Sequence, residues 1–447
     1  MDPARDTGSE AASAADRRVG SWQRPGPEPD VGGSGACPRS TAARGCVRYI
    51  GRRRVTLHTM TRSLKPSKPD ALDTVARQAV VIRRRLGSWF ARERRDLPWR
   101  RTRDPYAIWL SEMMLQQTQV VTVIPFYQRF MARFPRVDDL AAAGVDEVLR
   151  RWSGMGYYAR ARHLHRAARM VVDAYGGRFP SSVESLRSLP GVGAYTAGAV
   201  ASIAFDKRAV VVDGNVARVL TRVFEVDLDI RDGRCKALLW EIAERLLPRK
   251  RCGDFNQALM ELGATVCLPK TAARCEVCPL KSVCGALSAG SVERLPVKRA
   301  KAAPRRQTHV VSAIDHEGRW LVARRPERGL WGGLWELPTV VLNGDTPRTA
   351  AGDLAAGLVG FKTRVEMRPF CTIEHQLTHR TITFVGHLCR ASGRHAARHK
   401  TRRVVSGTSY EPDQERRWLS LNEINSLGIS AAMRKVIGAL QESLAGD

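Results

Sequence analysis

The stretch LPGVGAYTAGAV, residues 189–200, decides the fold. Its glycines at 191 and 193 permit a tight turn immediately before a new helix that begins near Ala194. Backbone N–H groups of such a turn and of the helix start form an anion site, suited to one phosphate without reading any base. A plain interhelical turn would use the same residues, but the P-G-V-G spacing between two helices is more specific than a lone glycine pair. On either side, from about residue 73 to 290, apolar residues recur at three and four, so this region reads as helical throughout.

About twenty residues on, VVVDGNVARVL places Asp213 and Asn215 where an apolar run gives way to a helix. Asp213 reads first as an N-cap, since its carboxylate satisfies free helix N–H groups. Upstream, WLSEMMLQQTQV, residues 109–120, sets Glu112 on a helix one turn from Ile108, Trp109 and Leu115. A carboxyl group among apolar neighbours keeps its proton to higher pH. On that helix alone Glu112 reads first as a rim residue reaching water. Together, though, a protonated Glu112 and a fixed carboxylate at Asp213 make the acid and anion that glycosidic cleavage requires, and the cap does not exclude that role.

The chain carries 73 Lys and Arg against 44 Asp and Glu, a net charge of +29, which points to a polyanionic partner. No apolar run approaches the roughly 18 residues of a membrane helix, so a soluble protein with no membrane partner is expected. Of ten cysteines, Cys267, Cys275, Cys278 and Cys284 fall in one stretch, CLPKTAARCEVCPLKSVC. Such clustering favours a metal site in a reducing compartment over disulfides. With one close pair and all four thiols in a single loop, a cubane iron–sulfur cluster suits the spacing better than a zinc ribbon. Lys270 and Arg274, inside that loop, are placed for phosphate contacts.

In WSGMGYYARARHLHRAA, residues 152–168, Tyr157 and Tyr158 follow a glycine turn and precede Arg160 and Arg162. Aromatic rings beside cations can wedge into a base stack and hold the backbone while a nucleotide rotates out. A core tyrosine with a solvated basic face is the plainer reading. Residues 1–72, rich in Gly, Pro, Ala and Arg without a sustained period, are expected to be disordered. Their Arg content suits a mitochondrial presequence, but Asp2, Asp6, Glu10 and Asp16 argue against one. Residues 291–307 read as a basic linker. Beyond them, HVVSAI, RWLVARR and RTITFVGHL carry strand composition, with a helix expected at TAAGDLAAGLVG, so residues 308–443 form a mixed α and β domain.

LPWRRTRDPYAIWLSEMMLQQTQV, GMGYYARAR, LPGVGAYTAGAV, VVDGNVARVL, FNQALMELGATVC and the four cysteines, in that order, resemble the MutY family of adenine DNA glycosylases, over about residues 73–440. The resemblance implies a mainly α helix-hairpin-helix glycosylase with a six-helix barrel domain and a helical domain carrying a [4Fe-4S] cluster. An α+β Nudix-like C-terminal domain follows, and the activity implied is removal of adenine opposite 8-oxoguanine or guanine in duplex DNA. It also implies roles. Glu112 would protonate adenine at N7 and activate water. Asp213 would stabilise the oxocarbenium ion, with Asn215 beside it.

Tyr195 stands where the related endonuclease III enzymes have a Schiff-base lysine, which implies a monofunctional enzyme. Arg100 and Gln257 would line the adenine pocket, and Gln117 and Tyr157 would enter the stack near the oxidised base. Gly191, Gly193, Lys270 and Arg274 would meet phosphate, while Thr378 and His379 would sense 8-oxoguanine. Such a protein is expected to act as a monomer with replication or repair partners, in the bacterial cytoplasm or a eukaryotic nucleus or mitochondrion. Two departures stand out. The gap between Cys267 and Cys275 is one residue longer than usual, and the sensing loop reads Leu377, Thr378, His379 where the family has Phe-Ser-His. Between Leu337 and Gly360 the only acids are Asp345 and Asp353, so the C-terminal domain is expected to bind a base and not the metals of a Nudix hydrolase.

Overall fold

The computed structural model describes residues 68–299, 304–360, 363–377, 379–391, 410 and 414–446. Twelve helices come first among these: α1 Lys68–Glu93, α2 Pro105–Leu115, α3 Val120–Arg133, α4 Val137–Ala142, α5 Val145–Trp152, α6 Ala159–Tyr175, α7 Val183–Ser188, α8 Ala194–Phe205, α9 Gly214–Val223, α10 Gly233–Leu246, α11 Cys252–Thr265 and α12 Gly285–Ser288. They serve two cores. One, built on Trp109, Phe130, Phe134 and Trp152, joins α2 to α8; the other, built on Ile82, Leu86, Leu220 and Leu259, joins α1 to α9, α10 and α11. The first described helix therefore completes the domain made by the last helices of the region.

The polypeptide turns sharply where the sequence supplies the means. Asp213 caps α9 by accepting the Val216 N–H at 2.7 Å, and α8 starts at Ala194 behind Gly193. Gly191 lies at φ 77°, and a Cβ there would come within 2.7 Å of the Cβ of His163 on α6. The turn can thus sit against α6 only without a side chain at 191.

The C-terminal region comprises β1 Arg305–His316, β2 Arg319–Arg324, β3 Trp335–Glu336, β4 Thr339–Val341, α13 Pro347–Val359, β5 Thr363–Val365, β6 Cys371–Gln376, β7 Arg380–Ala391, β8 Arg416–Leu419, α14 Leu421–Asn425 and α15 Ala431–Gly446. One mixed sheet runs β3-β2-β1-β7-β5, with β4 on β1, β6 on β7 and β8 on β2. Among the described strand pairs only β1 and β7 run parallel, in register from Arg305 beside Arg380 to Asp315 beside Arg390. The middle of β1 and most of β2, at the centre of the sheet, are buried on both faces because α15 covers one side and α13 the other.

Three expected boundaries move. Residues 68–72, expected within the extension, are helical, with Ala71 and Leu72 buried; residues 1–67 lie outside the described part. Residues 291–299 do not hang free as a linker. Leu295 is buried and its carbonyl accepts from Arg222 Nε at 3.0 Å, while Val297 bridges to Asp229. Arg222 is itself buried and needs acceptors, which that segment supplies. The sheet domain, finally, extends from Arg305 through Gly446, beyond residues 308–443 at both ends.

Packing of α8 tolerates no added atom at its centre: a Cβ on Gly198 would stand 2.2 Å from the Val210 carbonyl oxygen. Gly198→Ala is therefore expected to destabilise the fold by about 1–3 kcal/mol, read as a lower denaturation midpoint. An unchanged midpoint would mean that α8 and the 209–212 segment do not pack this closely.

Candidate active site

Six segments converge on one cavity of about 600 Å³: residues 95–100, α2, the 118–121 turn into α3, α8, the first turns of α9, and the stretch from α11 to Pro269. Of the residues singled out in the sequence, Glu112, Tyr195, Asp213, Asn215, Arg100 and Gln257 all line it. Glu112 is only 5 % exposed. The Tyr195 hydroxyl donates to Glu112 Oε2 at 2.7 Å. Burial lifts the Glu112 carboxyl to about 7; the Tyr195 hydroxyl opposes the rise, Asp213 adds to it, and Arg100 opposes it.

Asp213 is held differently. Besides the Val216 N–H, its carboxylate accepts from Asn215 Nδ2 at 2.9 Å. Burial raises it too, but both of those donors and the Arg218 guanidinium favour its charged form. Its net shift is upward, but starting from a lower ordinary value and holding more donors it is better placed than Glu112 to carry the charge. Arg218 completes the support, donating to Asn215 Oδ1 at 2.8 Å and to the Gly263 and Cys267 carbonyls, each at 2.7 Å.

Three supporting residues were not anticipated: Arg95, Glu261 and Arg218. Glu261 is wholly buried and takes Arg95 Nε and Arg100 Nη2, each at 2.8 Å. Burial alone would raise its carboxyl, yet the two guanidinium groups hold it down at about 2. Arg100 therefore lines the cavity with part of its charge already spent. Glu261 lies in the quoted FNQALMELGATVC, but no local signal names its partners, which are more than 160 residues away.

Gln117 and Tyr157 do not join this cavity. They line a second one of about 650 Å³, with Trp331, His375, Leu377 and His379 of the C-terminal domain. The turn after α2 separates the two, with Leu115 and Thr118 on one side and Gln116 and Gln117 on the other. Gln117 and Tyr157 both adopt left-handed backbone, at φ 58° and 49°. Thr378 lies outside the described residues. Of the neighbours expected to hold a nucleic acid, Tyr158 is buried with its hydroxyl on the Ile429 carbonyl, Arg160 is buried, and Arg162 bonds the Gly332 and Glu327 carbonyls. All three nevertheless line the second cavity, and Tyr158 and Arg162 also make contacts between the domains.

At the hairpin, Gly193 has open space where a Cβ would stand, and no side chain caps the first turn of α8. Lys270 and Arg274 are exposed. The four loop cysteines line one small apolar cavity with Val219, Leu262 and Leu280, and Arg222 Nη1 lies 3.3 Å from Cys267 Sγ. Among the described residues, no three His, Cys, Asp or Glu converge tightly enough for a single metal ion. Four thiols spread around one apolar space with a guanidinium against them fit a larger, anionic group. No helix of the described residues is long and apolar enough to cross a membrane.

The Glu112 carboxyl carries a stability consequence. Folded, it keeps its proton to about 7 instead of 4.5. Between those values the native state binds more protons than the unfolded one, so stability falls as pH rises through them, by at most about 3 kcal/mol. Glu112→Gln removes that titration. The variant is expected to gain thermal stability over the parent at pH 8 by more than it does at pH 5; equal differences at the two pH values would contradict the buried acid.

Residues 110–245 match the family HhH-GPD superfamily base excision DNA repair protein, and residues 309–439 match the NUDIX domain. An adenine DNA glycosylase of Rattus norvegicus is 36 % identical over 85 % of this chain and 82 % of its own length. That of Homo sapiens is 35 % identical over 81 % and 74 %. A solved thermostable thymine-DNA glycosylase is 35 % identical over 48 % of this chain and all of its own, with a TM-score of 0.44. With identity spread over four-fifths of the rat enzyme and both regions matched in order, the chain belongs to the adenine DNA glycosylase family.

Proposed function

We propose that the protein excises adenine standing opposite 8-oxoguanine or guanine in duplex DNA, by hydrolysing the N-glycosidic bond without cutting the strand. The observation that carries this is a carboxyl pair in one cavity whose members are held unequally. Burial lifts Glu112 to about 7 with one hydroxyl bonded to it, whereas Asp213, also raised by burial, keeps the Val216 N–H, the Asn215 amide and the Arg218 guanidinium in favour of its charged form. Among the described residues lining that cavity there is no lysine, and Tyr195 spends its hydroxyl on Glu112. A Schiff base, the route to strand cleavage, thus has no amine.

In this reading adenine, rotated out of the duplex, enters the 600 Å³ cavity, where Gln257 and Arg100 face its edge. Glu112 gives its proton to N7. The bond between C1′ and N9 breaks, its electron pair leaves with the base, and the positive charge on the sugar faces the Asp213 carboxylate, which Asn215 and Val216 hold in place. Water then adds to C1′ and returns a proton to Glu112. The base left opposite occupies the second cavity, against Gln117, Tyr157 and His379, with Thr378 expected beside it.

Phosphates would meet the N–H groups at Gly191 and Gly193 and the exposed Lys270 and Arg274. Cys267, Cys275, Cys278 and Cys284 would hold a [4Fe-4S] cluster, whose bonds, once formed, would fix the 267–284 loop. The protein is taken to act as a monomer.

The test is a single-turnover assay on duplexes with adenine opposite 8-oxoguanine, guanine or thymine. Scission only after alkali, on the first two and not the third, is expected; scission without alkali would remove the monofunctional reading. Glu112→Gln should abolish release, a loss of roughly a hundredfold or more, with duplex binding retained. His379→Ala should narrow the preference for 8-oxoguanine over guanine, and an unchanged preference would take that residue out of the second cavity's role.

A further inference from the structure

Arg160 opens α6 with its side chain only 7 % exposed, and among the described residues no carboxylate forms an ion pair with it. A buried cation without a counter-charge is costly, so what it holds is informative. Nη1 donates to the Met113, Met114 and Gln116 carbonyls at 3.2, 2.6 and 2.5 Å. The first two belong to the last turn of α2, the helix that carries Glu112, and Gln116 is its C-cap, so the cation sits where a helix end favours one. Nη2 donates to Thr118 Oγ1 at 2.9 Å and to the Met155 and Gly156 carbonyls at 3.4 and 3.2 Å. The guanidinium centre also lies 5.2 Å from the Trp152 ring and 5.4 Å from that of Tyr157.

One group thus grips three things: the end of the acid's helix, the turn that divides the two cavities, and the turn that presents Tyr157. Both turns contain a non-glycine residue in left-handed backbone, Gln117 and Tyr157. Such conformations persist only where the surroundings over-determine them. Burial pushes the Arg160 guanidinium down to about 10, so its charge survives at neutral pH.

We infer that Arg160 is a positioning residue that couples the two cavities, fixing Gln117 and Tyr157 against the base opposite while holding the helix of Glu112 in register with it. The inference rests on the reading of the second cavity as the seat of that base. Lysine at 160 would keep the charge, but a single ammonium cannot span both sets of acceptors.

Single-turnover rates on adenine opposite 8-oxoguanine and opposite guanine, each normalised to active-site concentration, test it. In Arg160→Lys the ratio of the two rates should fall roughly tenfold, with the iron–sulfur absorbance and helix content of the parent retained. Thr118→Val, which removes one acceptor and leaves the cation, should shift the ratio the same way by roughly threefold. A merely structural arginine would lower the active fraction and leave the normalised ratio untouched, and that result in both variants would overturn the inference alone. If the parent itself shows no preference between the duplexes, the reading of the second cavity falls, and the inference with it.

Discussion

A carboxylic acid that must keep its proton until it is used has to be shielded from water and from bare cations, and the glycosylase half of this molecule is arranged around that constraint. Glu112 sits on an apolar helix, yet three arginines, Arg95, Arg100 and Arg218, line the same cavity. Any of them, left free near the carboxyl, would draw the proton off. Glu261 answers two of them: it is buried, doubly paired and low in pKa. The third is spent on Asn215 and two backbone carbonyls. The cavity therefore keeps cationic walls while the acid experiences mainly burial and one hydroxyl.

The same packing keeps two cavities apart. Two cavities of similar size share the short turn after α2, one holding the carboxyl pair and the other lying between the glycosylase helices and the C-terminal domain. That domain is not loosely attached. Leu334 is buried in the first helical core, Trp331 packs against both that core and the sheet's own, and Arg162 reaches the backbone of the same loop. Arg324 adds an ion pair to Asp146 at 2.7 Å. A base bound in the second cavity would consequently touch both domains at once.

Much of this was legible in the sequence because it is local. The glycine turn before Ala194, the cap at Asp213 and the cysteine spacing each lie within one short window, where backbone geometry and chemistry leave few options. Glu112 needed the rest of the chain: on its own helix it was ambiguous, and only Asp213 and Tyr195, about a hundred and about eighty residues on, make its burial meaningful. What stayed hidden is long-range pairing between charged side chains. Arg160 and Arg162 look like surface cations beside two tyrosines, but one turns inward to helix carbonyls and the other crosses to the next domain. Residues 291–299 look like a basic linker because nothing local reveals that the buried Arg222 needs the Leu295 carbonyl. In a chain this rich in arginine, charge announces a polyanionic partner but does not say which cations meet it.

The central claim is that Glu112 waits in its protonated form. The most direct measurement is a pH titration of the intact protein by carbon-13 nuclear magnetic resonance of isotope-labelled glutamate side chains, with the Glu112→Gln variant identifying the Glu112 signal. A carboxyl that titrates close to 7 is the expected result; one that titrates near the ordinary 4.5 would contradict the account, whatever the activity.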